Sequence, residues 1–262
     1  MLSDPTRPGL APVVVALIAG ITVPVRLVAQ DPFEIEVYGY RTAARGEWEL
    51  DTHLNYVAHG TSAFDGSVAP TEHQGHLALE LTHGLTDHWE VAAYLLSAVR
   101  PGAGFGYAGA RVRSRVRAPE AWRLPVGLSL AAELEFSPAA FDESAIGLEI
   151  RPIVERRLGR LQLDVDPVLE RGLRAHGTAR PGEWEFEPSA RVGFAMSPAV
   201  DLSIEYYGKL GETPVDRVHQ IYPGVDLKLG EDIEINLGVG VGLTTAGSRL
   251  VMKTRFEIPL HD

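Results

Sequence analysis

The feature that most constrains this chain is a side-chain period of two, held over stretches of ten or more residues. In GEWELDTHLNYVA, starting at Gly46, one set is Trp48, Leu50, Thr52, Leu54 and Tyr56. The other is Glu47, Glu49, Asp51, His53 and Asn55. Alternation of this kind puts the two sets on opposite faces of a sheet. A helix would scatter the carboxylates around its circumference. The same pattern recurs with Val126, Leu128, Leu130, Leu134 and Phe136 against Ser129, Glu133 and Glu135, and again at 183–196, 232–243 and 249–260.

The pattern predicts about twelve strands. They fall at 46–58, 73–83, 88–97, 104–117, 124–136, 144–156, 160–170, 183–196, 200–210, 219–229, 232–244 and 249–260. FEIEVYGY at 33–40 is a short extra candidate. Most of these segments have the ~9–11 residues a tilted strand needs to cross a bilayer, and soluble strands are usually nearer ~5–6. Tight joins (82–87, 157–160, 197–199, 230–232) alternate with longer ones (59–72, 98–103, 137–143, 171–182, 211–218, 245–248), and 118–123 belongs with the first set by position. The expected fold is therefore all-β: a single transmembrane antiparallel β-barrel with short periplasmic turns and longer extracellular loops. A soluble sandwich or lipocalin-like barrel shares the alternation with its apolar face turned inward. Strand length and the aromatics near segment ends (Trp48, Trp89, Tyr107, Trp122, Trp184, Tyr206) favour the membrane form.

Composition agrees. A mean hydropathy of −0.01 excludes a polytopic helical membrane protein, but not a barrel, whose two faces cancel in the average. There is no cysteine, hence no disulfide or thiolate chemistry. A net charge of −11 argues against a nucleic-acid partner.

The N-terminus reads as an export signal. Arg7 precedes an uncharged, largely apolar run from Pro8 to Val25. A small residue at a plausible cut site follows, which predicts cleavage between Ala29 and Gln30. A single transmembrane anchor is the other reading of this run; Pro12, Pro24, Gly9 and Gly20 weaken it. The expected organisation is a signal peptide at 1–29, a periplasmic lead-in at 30–45 and an outer-membrane barrel at 46–262. The location implied is the outer membrane of a Gram-negative-type envelope, with membrane lipid and the barrel-assembly machinery as partners.

The hairpin LELTHGLTDHWEVAAYL (Leu79–Leu95) and the start DPFEIEVYGYRTAARGEWELDTHLNYV carry a resemblance. They resemble the bacterial outer-membrane family of meta-pathway phenol-degradation, porin-like transporter proteins. The resemblance implies an outer-membrane barrel and passage of small organic molecules, and brings no catalytic residues with it. The last strand departs from the usual aromatic ending: it closes on Leu260, with Pro259 lacking a ladder donor.

With the polar face inward, Arg111, Arg113, Arg115 and Arg117 form a ladder on one strand, with Glu133 and Glu135 on the next. His53, His76 and Glu80 also point inward. Four guanidiniums about 7 Å apart need carboxylates, water or an anionic solute. Ion-pair bracing of a narrow lumen is favoured over an anion-guiding strip, and Arg113→Glu is expected to alter conductance or folding. No cofactor, metal site or catalytic group is expected: no motif joins Ser129, Ser189 or Ser203 to a histidine, and His73 and His76 lack ligand spacing. The alternate glycines of GVGVGL (238–243) suggest a smooth wall or room for a bulky neighbour. The expected function is a narrow channel or transporter-like barrel for small solutes, aromatic or anionic ones among them, and not an enzyme. The alternatives are a non-transporting structural or binding barrel plugged by ion pairs, and an outer-membrane lipid-modifying enzyme.

Overall fold

The computed structural model describes residues 31–62, 68–177, 182–210, 217–230 and 233–260. The expected signal peptide and its Ala29–Gln30 junction lie outside the described residues. Twelve strands follow one another: β1 (Trp48–His59), β2 (Gly75–Thr86), β3 (Trp89–Arg100), β4 (Gly104–Arg117), β5 (Gly127–Phe136), β6 (Ser144–Leu158), β7 (Leu161–Ala175), β8 (Trp184–Ser197), β9 (Val200–Lys209), β10 (Val218–Leu229), β11 (Ile233–Gly242) and β12 (Leu250–Leu260). One 3-10 turn, Glu120–Trp122, sits between β4 and β5.

Every strand pairs antiparallel with its sequence neighbours, and β12 closes on β1. The closure is in continuous register from Trp48↔Leu260 to Val57↔Val251. A closed ring removes the unpaired edges that an open sheet would present. Pro259 opposes Glu49 near the end of this seam, so its missing N–H costs little ladder.

Two residues join β2 to β3, β6 to β7 and β8 to β9, and three join β10 to β11. Gly159 (φ 64°) and Gly230 (φ 73°) take left-handed conformations in two of these turns. The β4–β5 connection at this end has nine residues; the connections at the opposite end are mostly of seven or more, fifteen residues between β1 and β2 being the longest. The join expected at 98–103 shrinks to three residues, because β3 runs on to Arg100. At the long-loop end the β1–β2 connection reaches across to the β5–β6 connection, where the Ala69 N–H donates to the Ala140 carbonyl at 2.9 Å.

The two faces of the ring are chemically distinct. Leu95, Val112, Val192, Ile204, Val239 and Met252 are about half exposed on the outside. Asp51, Glu90, Arg113, Asp164, Glu205 and Lys253 are buried inside. This inverts a soluble barrel, in which the apolar face would fill the interior.

One expectation is overturned. Residues 33–40 form no strand, and the segment foreseen as a lead-in outside the barrel lies within it. Phe33, Ile35, Val37, Tyr38 and Ala43 are all buried. The segment enters near the long-loop end, where the Asn55 amide donates to the Pro32 carbonyl at 2.9 Å. It leaves at the short-turn end, where the Gly46 N–H donates to the Gly84 carbonyl at 2.8 Å. The physical reason is twofold. A thirteenth strand has no edge to join once β1 and β12 have paired. A segment with apolar residues on one side and carboxylates on the other also meets both kinds of partner inside this lumen.

Candidate functional site

The lumen is occupied by this internal segment, held by apolar and ionic contacts together. Phe33 packs on Ala78, Ala92, Tyr94, Leu96, Ala98 and Ala108 of the wall. Small inward residues on β2 and β3 make the room. Ile35 and Val37 pack with Val57, Tyr207, Tyr222 and Val251 on the other side. The wall there is shaped for bulk: a Cβ at Gly240 would lie 2.2 Å from the Tyr222 ring, so the glycine leaves space for that ring. This is the second of the two roles open to the GVGVGL glycines.

Backbone polar groups of the segment find partners on the wall, as buried groups must. The Tyr38 N–H donates to Asp166 at 2.9 Å and the Ala43 N–H to Glu90 at 2.7 Å. The Lys253 ammonium donates to the Ile35 carbonyl at 3.0 Å, and Arg151 to the Glu36 carbonyl at 3.3 Å.

The arginine ladder of β4 faces this segment. Arg111 contacts Asp31 at 2.7 Å, Glu34 at 3.3 Å, Glu133 at 3.4 Å and Glu135 at 3.7 Å. Arg113 contacts Glu80 at 2.5 Å, Glu90 at 3.4 Å and Glu34 at 3.8 Å. It also donates to the Tyr38 and Tyr94 hydroxyls, while the Tyr38 hydroxyl donates to Glu34. Arg115 binds Glu90 at 2.7 Å and reaches the Gly39 carbonyl at 3.4 Å. Arg117 turns to the rim, donating to Thr42 at 3.1 Å and pairing with Glu120. That hydrogen bond from Arg117 holds the exposed Glu120 carboxyl down to about 2. Tyr40 of the segment also donates to Glu120, at 3.2 Å.

Tyr38 is the centre of this arrangement. The guanidinium carbons of Arg151, Arg113 and Arg115 lie 4.4, 4.7 and 5.2 Å from its ring centroid. Cation–π contacts of this kind contribute roughly 0.5–2 kcal/mol each.

His53 and His76 are both buried and inward. Phe33 stands edge-on to the His76 ring at 4.8 Å, and His76 meets the Gln74 side chain at 3.0 Å. His53 Nε2 stands 3.8 Å from Glu80. The hydroxyls of Ser129, Ser189 and Ser203 are buried, and none hydrogen-bonds to a histidine or to anything else among the described residues.

Two spaces remain. A cavity of about 780 Å³ opens toward the short-turn end, bounded by residues 35–44 of the segment and by the turns at Gly159–Arg160 and Ser197–Pro198. Fourteen acidic and ten basic residues line it. A space of about 90 Å³ lies on the long-loop side, beside Asp31, Phe33 and Phe141. The internal segment stands between them.

The sequence pattern brought out the arginine ladder and its inward carboxylates, but not the internal segment that most of them hold. Its one signal was an odd extra strand pattern, 33–40, beside an even set of twelve.

The segment's foot depends on a close approach. A Cβ at Gly84 would sit 1.9 Å from the Ala44 carbonyl oxygen and 2.6 Å from its carbon. Backbone cannot swing aside as a side chain can. Gly84→Val is expected to lift residues 42–45 off the wall and leave the ladder closed. The chain has no cysteine, so a single Ala43→Cys reports this directly. Maleimide should label it slowly with Gly84 present and several-fold faster with Gly84→Val.

No family model and no curated protein matches the chain. Solved structures do. The COG4313 outer-membrane channel from Pseudomonas putida F1 superposes with a TM-score of 0.61 at 12% identity, over 87% of this chain and 100% of that one. The KdgM porin follows at 0.53 and 8%, over 81% and 99%. The NanC porin gives 0.52 and 7%, over 82% and 100%. At these identities the likeness is one of fold: this chain is a closed twelve-stranded antiparallel barrel built like outer-membrane channels and porins.

Proposed function

We propose that the protein is an outer-membrane channel for small solutes, closed in this conformation by its own N-terminal segment. The observation that carries the reading is the inverted barrel. Its outside is apolar and its inside is charged, and the charges surround a segment that makes almost no ladder bonds with the wall. A structural strand would be paired into the sheet. A segment held by side chains, cation–π contacts and single hydrogen bonds can leave without opening the ring. The short-turn end is then periplasmic and the long loops extracellular, as in other barrels of this class. The cleaved export signal and the barrel-assembly machinery belong to the same reading.

The lumen's chemistry bears on the solute. The four arginines do not form a free anion-guiding strip, since Arg111, Arg113 and Arg115 are engaged by carboxylates. Acidic residues outnumber basic ones around the larger cavity, which disfavours small anions as the main cargo. Tyr38, Tyr94, Tyr207 and Tyr222 give aromatic surface inside, so uncharged aromatic solutes remain compatible with it. A barrel closed permanently by its ion pairs is the second reading, favoured by the density of contacts at Arg113.

Planar-bilayer recording of the intact chain beside Gly84→Val separates the two. A channel gives stepwise currents, more frequent in the variant. Silence in both, with both folded by heat-modified gel mobility, would overturn the channel.

The membrane placement has its own test. Leu237 points outward and is 38% exposed. Leu237→Arg is expected to destabilise the barrel in phosphatidylcholine vesicles by about 2–4 kcal/mol if that position is near the bilayer midplane. Reversible guanidinium unfolding measures it. A soluble barrel would tolerate the change within about 0.5 kcal/mol.

A further inference from the structure

The charges around the arginine ladder do not balance. Arg111, Arg113 and Arg115 are paired by six different carboxylates, one of them on each of residues 31 and 34 of the internal segment. Three positive charges against six negative ones leave a local excess of negative charge, which the open cavity beside Glu80, Glu90, Arg113 and Arg115 offsets only in part. Water at the cavity, protons or a bound cation can offset it. One place stands ready for a cation. Glu34 on the segment, His53 on β1 and Glu80 on β2 bring one ligand atom each to within 4.8 Å of one another.

His53 is the independent sign. It is 1% exposed, and its Nε2 has no hydrogen-bond partner among the described residues. A buried ring nitrogen without a partner forfeits the hydrogen bond it had in water. Glu80 Oε2 is 3.8 Å away. That is too long for a hydrogen bond, but two metal bonds of about 2.1 Å span it at an open angle. Glu80 Oε1 is already taken by Arg113 and by the Thr82 hydroxyl, which leaves Oε2 as the oxygen facing His53. One imidazole with two carboxylates suits a divalent transition metal, Zn²⁺ or Mn²⁺, better than a hard alkaline-earth ion.

We propose that Glu34, His53 and Glu80 form a divalent transition-metal site that fastens the internal segment to the barrel wall. Since Glu34 belongs to the segment and the other two to the wall, binding is linked to the segment's position. Metal favours the inserted state by its differential affinity for it. The proposal does not depend on whether the lumen conducts, so the two readings can fail separately.

The test is equilibrium binding of Zn²⁺, with Mn²⁺ and Mg²⁺ in parallel, to the full chain refolded in detergent and dialysed against a chelator. One Zn²⁺ per chain is expected, and Mg²⁺ should bind far more weakly. Glu34→Gln, which is isosteric and leaves the wall intact, and His53→Gln should each weaken Zn²⁺ at least tenfold. His73→Ala should not. The exposed His73 and His59 flank the half-buried Glu72 at the rim and could bind metal adventitiously. Heat-modified mobility confirms that each variant is folded. If His53→Gln fails to fold, Glu34→Gln carries the test alone. The proposal is overturned by the absence of a saturable one-to-one site, by unchanged affinity in Glu34→Gln, or by loss of binding in His73→Ala. Stabilisation by acid with no Zn²⁺ uptake would assign the compensation to protons and overturn it as well.

Discussion

Arg113→Ala is expected to lower the unfolding free energy by about 3–5 kcal/mol, the usual cost of removing one partner from a buried ion-pair cluster. Arg113 is 5% exposed and touches Glu34, Glu80 and Glu90 together. It is also the donor to two buried tyrosine hydroxyls. Without it, Glu80 loses its guanidinium partner, Glu34 and Glu90 each lose one of two, and the Tyr38 hydroxyl loses its hydrogen bond to β4. Arg113→Glu should be worse, because it adds a fourth carboxylate. Arg113→Lys should fall between, keeping the charge but not the fork of donors or the flat face over Tyr38. Val112→Ala, one residue along and pointing outward, is the control and should cost little. Denaturant unfolding in vesicles gives the energies. A loss for Arg113→Ala no larger than for Val112→Ala would mean that water, rather than Arg113, solvates those carboxylates.

The second large effect concerns conduction. A chain lacking residues 31–43 should fold into the same ring, since those residues contribute nothing to the strand ladders and the β1–β12 seam is complete without them. Residues 44–47 stay in place, with Gly46 and Glu47 bonded to Gly84. The space of about 780 Å³ at the short-turn end and the smaller space near the long loops would then join. The freed wall charges would be hydrated. Single-channel conductance is expected to rise several-fold over that of the intact chain, with fewer closures. The carboxylate excess should also make the open lumen prefer cations, read as the sign of the reversal potential in a salt gradient. A folded variant whose conductance equals the intact chain's would show that the segment does not block the path.

Much of the barrel was legible before the structure. The residues that alternate around Leu54, Leu130, Phe194 and Val239 set twelve strands, and the joins between them set which end carries the short turns. Strand β4 spans 104–117 in both the expectation and the structure. The inward ladder was legible for the same reason, since period two decides which residues share a face. Less legible was the partner of each charge. Glu80 and Glu133 lie on different strands, and only the shear of a closed ring determines which guanidinium each one meets. Least legible was the region before Trp48. Local pattern made FEIEVYGY resemble a strand, because apolar and acidic residues alternate there as they do in the wall.

The sequence alone therefore determined the faces. Side-chain alternation is a local property, written residue by residue, and it sorted apolar from charged positions along every strand. Only the tertiary structure decided what fills the interior. Ring closure used up every strand edge. It left residues 31–45 no ladder to join and a charged, aromatic lumen as the one surface that matched them. The inside of this barrel is set by contacts between residues far apart in the chain, such as Tyr38 with Arg113 and Ile35 with Lys253, and no local pattern encodes such pairs.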